Sequence, residues 1–151
     1  MHEHHPHHNN PKMSHALMAA HATFHCLLGC LIGEFAGLAI GTTLGLPVWQ
    51  TMTLAIVLAF VTGLWMAARP LSVQAGISVA AALKIIWLGE AVSIGVMEAA
   101  MNTVDYMLGG MTSGLTSPAF YGALLAGAAA GFAAAWPVNW GMIAFNLKAG
   151  H

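Results

Sequence analysis

The sequence predicts an all-α fold, an integral membrane four-helix bundle, and three observations carry that expectation. Of 151 residues 58% are apolar and 6% charged, against the usual ~25% charged in a soluble domain, so a water-facing shell cannot be built. Mean hydropathy is +0.74, which also excludes a disordered chain, since those are polar and charged. Finally, four apolar runs can be drawn, each with the ~20 residues that a helix needs to cross ~30 Å of hydrocarbon. The lipid bilayer is therefore the expected partner. A net charge of −1 leaves no basic face for nucleic acid. Two cysteines do not make a disulfide scaffold. No nucleotide loop, Ser–His–Asp arrangement or tetracysteine site is present, so the chain does not read as an enzyme.

Residues 1–14, MHEHHPHHNNPKMS, form a polar, low-complexity tail expected to be disordered, and 15–151 read as one four-span domain. The tail is histidine-rich rather than cationic and the run after it is long, which speaks against a signal peptide. The first span, 22–46, is closed by Gly45 and Pro47; the second, 48–68, is stopped by Arg69 and Pro70. Residues 71–83, LSVQAGISVAAAL, are interrupted by Ser72, Gln74 and Ser78 and read as a short amphipathic elbow helix at the interface. The third span, 84–108, ends at Gly109–Gly110. The fourth, 119–145, is opened by Ser117–Pro118, an N-cap followed by a first-turn proline. Lys12, Arg69 and Lys148 share one side, with Lys84 near it. The preference of short cationic loops for the cytoplasm puts both termini there, in an inner (cytoplasmic) membrane.

An anchor needs only apolar side chains, yet Glu34, Glu90, Glu98 and Asp105 fall inside or at the ends of spans. A carboxylate at the bilayer centre costs about 2.5–3.5 kcal/mol on insertion scales and normally faces a protein interior on an ion or proton path. Helical spacing groups the donors. Cys26, Cys30 and Glu34 recur every fourth residue, and His21 and His25 form a second i,i+4 pair on an adjoining face. On the third span Ser93, Met97 and Met101 lie within about 60° of Glu90 at 100° per residue, with Glu98, Asp105 and Asn102 on the adjoining arc. Thiols, thioethers and imidazoles suit Cu⁺; imidazole, thiolate and carboxylate also suit zinc. The candidate metal ligands are thus His21, His25, Cys26, Cys30, Glu34, Glu90, Met97, Glu98 and Met101, with Ser93, Asn102, Asp105 and Asn139 along a polar path. For Met107 and Met111 plain packing is the better reading.

Gly29, Gly33, Gly37, Gly41 and Gly45 recur at intervals of four, a flat ridge against which another helix can pack closely; Gly127 and Gly131 repeat the device on the fourth span. Pro137 removes one backbone donor and frees the Ala133 carbonyl, which beside Asn139 could meet a cation or a water. His2, His4, His5, His7 and His8 read by composition as a metal-capturing segment that feeds His15, His21 and His25.

HCLLGCLIGE, GEAVSIGVMEAAMN and WPVNW together resemble a family of small bacterial and archaeal membrane proteins catalogued as a domain of unknown function, number 4396. The resemblance covers residues 21–148. It rests on His25, Cys26, Gly29, Cys30, Gly33 and Glu34, on Ser93, Met97, Glu98 and Asn102, and on Pro137, Val138 and Asn139. Glu90 stands where an aspartate is expected in that family. The resemblance implies a four-span fold and no activity.

The residues therefore favour a membrane protein that binds and translocates a soft metal ion, Cu⁺ above zinc, as a homo-oligomer of thin bundles. One alternative is a proton or ion pathway in which only the carboxylates act. Another is an intramembrane dithiol, disfavoured because i,i+4 thiols have nearly parallel Cβ vectors at a Cα separation of about 6 Å.

Overall fold

The computed structural model describes residues 11–145. Four α-helices make up almost all of it: α1 (Pro11–Thr43), α2 (Val48–Ala75), α3 (Val79–Leu108) and α4 (Pro118–Ala144), with a single 3-10 turn at Gly110–Thr112. All four are long and apolar enough to cross a bilayer. The protein is an integral membrane four-helix bundle. Short connections make successive helices antiparallel. Each of α1 and α3 packs on both α2 and α4, and the two approach one another across the bundle diagonal.

The glycine ridge sets the closest approach. Gly29, Gly33 and Gly37 lie against the backbone of α2 at Gly63, Leu58–Ala59 and Ala55, and Gly41 lies on the Thr51 side chain. A Cβ at Gly29 would stand 2.8 Å from the Gly63 Cα, so these glycines let two backbones touch. Thr62 then donates its hydroxyl to the Gly29 carbonyl at 2.6 Å, a hydrogen bond between helices. Gly45 is off the ridge: at φ 65° it closes the end of α1. On the other side Gly131 of α4 leaves room for Met97 and Met101, both fully buried.

The expected elbow helix is absent. Residues 71–83 divide between the last turns of α2 and the first turns of α3. Pro70 does not stop α2, which runs through it to Ala75; a proline costs a helix one donor, and membrane bundles tolerate that. The true stop is Gly76 at φ 63°, whose N–H donates to the Ser72 carbonyl. Ser78 caps α3, its hydroxyl accepting from the Ala81 N–H at 3.2 Å. Arg69 consequently lies within a helix, not in a loop, with its guanidinium 5.2 Å from the Trp65 ring centre. At its other end α1 begins at Pro11, inside the segment read as tail.

Candidate functional site

Four buried acidic side chains stand inside the bundle. Glu34, Glu90, Glu98 and Asp105 are each at most 4% exposed. Their helices explain why: Glu34 continues the i,i+4 row of Cys26–Cys30 on α1, Asp105 continues that of Met97–Met101 on α3, and Glu90 and Glu98 share the adjoining buried row of Ile94 and Asn102. They occupy two regions.

The first is a pocket of about 220 Å³ between α1, α2 and α3, near the end where α2 stops and α3 starts. Its polar lining comes from His21, His25, Cys26, Gln74 and Glu90. The two imidazoles lie parallel, with ring centres 6.3 Å apart. Gln74 was read only as part of the elbow; the continuation of α2 past Pro70 brings it here.

The second region is a seam along the α1–α3 diagonal. The fully buried Cys30 thiol stands next to Cys26 on its own helix and Glu98 across the bundle. Asn102 donates its amide to the Glu98 carbonyl at 2.9 Å and to the Glu98 carboxyl at 3.1 Å. Glu34 lies within electrostatic reach of Glu98 and Asp105. Asp105 closes the seam against Gly110, near the Met111 amide, which does not reach hydrogen-bond geometry. Five oxygens here have no hydrogen bond: Glu34 Oε2, Glu98 Oε1, Asn102 Oδ1 and both of Asp105. Buried acceptors without donors are costly, and a positively charged or proton-bearing guest removes that cost.

Ser93 and Asn139 join three helices. The Ser93 hydroxyl donates to Asn139 Oδ1 at 2.5 Å, and the Asn139 amide donates to the Thr23 hydroxyl at 2.8 Å, which links α3, α4 and α1. Thr23 was not anticipated. Within α1 its hydroxyl reaches the Ala19 carbonyl at 2.7 Å, and its partner on another helix comes only with α4. Pro137 and Ala133 are exposed while Asn139 is buried, so the gap in the helix ladder opens on the face away from Asn139. Met97 and Met101 lie in the core beside Cys30 and Cys26, Met111 packs on Leu38, Ala55 and Phe120, and Met107 faces outward. Among the described residues no three His, Cys, Asp or Glu side chains converge to hold a metal ion, so the nine candidate ligands do not make one centre. Both thiols are free. His2, His4, His5, His7 and His8 lie outside the described residues.

These buried groups lie on the same stretches of α1, α3 and α4 whose motifs suggested a family, and the comparison is decisive. The family model described as domain of unknown function, DUF4396, matches residues 17–148. The chain belongs to this family. Searches of curated proteins and of solved structures found no match. The family assignment thus covers the pocket and the seam and brings no chemistry with it.

Proposed function

We propose that this membrane protein binds a soft transition-metal ion, Cu⁺ above zinc, at the His21–His25–Cys26–Glu90 pocket and passes it along the α1–α3 seam. The observation that carries this reading is the adjacency of the two regions: Cys26 lines the pocket and also neighbours Cys30, which neighbours Glu98. Imidazole and thiol donors suit entry of a soft ion. Cu⁺ accepts few ligands, so donors met in pairs suit it better than zinc, which takes four. Beyond Cys30 the carboxyl oxygens of Glu98, Glu34 and Asp105 offer weak, exchangeable contacts, and conduction needs sites an ion can leave. Met97 and Met101 are thioether donors of the same core.

Arg69 and Lys84 lie near the pocket end, and the rule for cationic flanks makes that end cytoplasmic. Both termini and the histidine tail then share the pocket's side, in the inner membrane. Two or more copies complete the assembly, since one four-helix bundle is thin.

The test is metal analysis of protein lacking residues 1–14. Stoichiometric copper in the parent, lost from the Cys26→Ser/Cys30→Ser variant, supports the reading. Protein that takes up no metal, or a double variant that binds as the parent does, overturns it. The pathway in which only the carboxylates act is favoured by the five oxygens without donors. It predicts ion flux unchanged in the same double variant and lost in Glu98→Gln.

A further inference from the structure

We infer that the bilayer grips this bundle off-centre, leaving the pocket end of the helices standing in the headgroup layer and the water beyond it. Exposed Trp and Tyr side chains mark the two boundaries. At the end away from the pocket, Trp49, Tyr106 and Tyr121 are exposed and lie within about 5 Å of the tips of α2, α3 and α4, at 1.5 Å per residue. Toward the pocket end the exposed Trp65, Trp87 and Trp136 lie about 12–15 Å short of the tips, and Trp140, also exposed, stands one turn further out on α4. Along each helix the paired aromatics are separated by about 24 Å (α2), 28 Å (α3) and 22 Å (α4). The α3 spacing matches a hydrocarbon core of about 27–30 Å and the other two fall about 3–5 Å short of it; Trp and Tyr gather at its two surfaces.

The surface between the belts agrees. On α2, α3 and α4 every exposed side chain there is apolar, glycine or threonine. The two threonines, Thr53 and Thr103, turn their hydroxyls onto carbonyls of their own helices at 2.8 and 2.6 Å. Past the tryptophan belt the character changes on α2 and α3: Arg69, Gln74, Ser78 and Lys84 are all exposed, interleaved with exposed Val73 and Ile85, while α4 stays apolar there through Trp140 and Phe145. Such a mixture fits headgroups better than open water or acyl chains.

This placement has a consequence for access. The pocket residues Pro70 and Gln74 lie outside the belt and Glu90 one turn inside it, so the pocket opens at the headgroup layer. Glu98 lies about midway between Trp87 and Tyr106 along α3, near the bilayer midplane. Asp105 stands at the opposite boundary, beside Tyr106. Pocket and seam together therefore run from one membrane surface to the other, and the inference holds whether or not the pocket takes a metal.

Single-tryptophan variants, with the other four changed to Phe, test it in vesicles carrying lipid quenchers at shallow or deep acyl positions. Trp49 alone and Trp65 alone are expected to give the same profile, quenched most by the shallow label. A bilayer centred on the helices would instead bring Trp65 to the deep label and leave Trp49 in water, quenched by neither; that result overturns the inference. Where those variants fold poorly, the Cys26→Ser/Cys30→Ser protein carrying Lys84→Cys or Val57→Cys serves. A membrane-impermeant maleimide supplied on both sides of the membrane is expected to label the first and spare the second; protection of both, or labelling of both, rejects the off-centre placement. Failure of the copper test leaves these readouts unmoved.

Discussion

Glu98 is the buried acid that joins α3 to α1. It stands beside Cys30, receives the Asn102 amide and leaves one oxygen without a donor. Glu98→Gln keeps an acceptor for Asn102 and adds an N–H₂ where donors are scarce, so the variant is expected to be at least as stable as the parent in detergent unfolding. Any ion flux that uses the carboxyl should fall at least tenfold in proteoliposomes. A variant that is stable and still conducts would remove Glu98 from the path. Asn139 behaves differently because its role is to join helices. Thr23 and Ser93 keep their own-helix acceptors when it is removed, so Asn139→Ala should cost about 1–2 kcal/mol rather than unfold the bundle, the range for hydrogen bonds between membrane helices. Unfolding titrated with a denaturing detergent in mixed micelles measures it. The stripes of acids and thiols were legible from i,i+4 spacing alone. Which residue on one helix meets which on another was not, and Thr23 carried no signal until α4 supplied its partner.

At the level of the helix, spacing rules worked where the pattern was dense and failed where one residue was given too much weight. Five glycines at intervals of four foretold a close contact, and four of them make it. Gly33→Leu would drive a side chain into the Leu58–Ala59 backbone, which cannot move as a side-chain tip can. It should destabilise the bundle by more than about 3 kcal/mol, at or beyond the usual cost of overpacking. Gly122→Ala meets open space and should stay within about 1 kcal/mol of the parent, helped by alanine's helix propensity. Equal losses in both would mean that α1 and α2 are not held by this ridge. At the α2–α3 junction Pro70 stands out in the sequence as the terminator, yet Gly76 and Ser78 carry the cap chemistry. A proline removes one hydrogen bond, whereas a left-handed glycine followed by a serine N-cap satisfies the ends of two helices.

Across the whole molecule, the even number of helices returns the chain to the end from which it started, so the N-terminal segment begins on the pocket's side of the bundle. From Pro11 to His21 is about 15 Å along α1. The ten residues before Pro11 can reach at most about 33–36 Å when extended. If the tail histidines capture the ion and the pocket receives it, the two are linked binding sites, and a short covalent link holds the donor at an effective concentration on the order of millimolar. Removing residues 1–10 should therefore leave the copper stoichiometry of the pocket unchanged at saturation. It should slow loading about tenfold when metal is scarce. Stopped-flow uptake with limiting Cu⁺ reads the rate, and equilibrium metal analysis reads the capacity. A truncated protein that loads as fast as the full chain would show that the pocket takes its ion directly from water. Loss of capacity as well as rate would instead place the tail's imidazoles within the site itself.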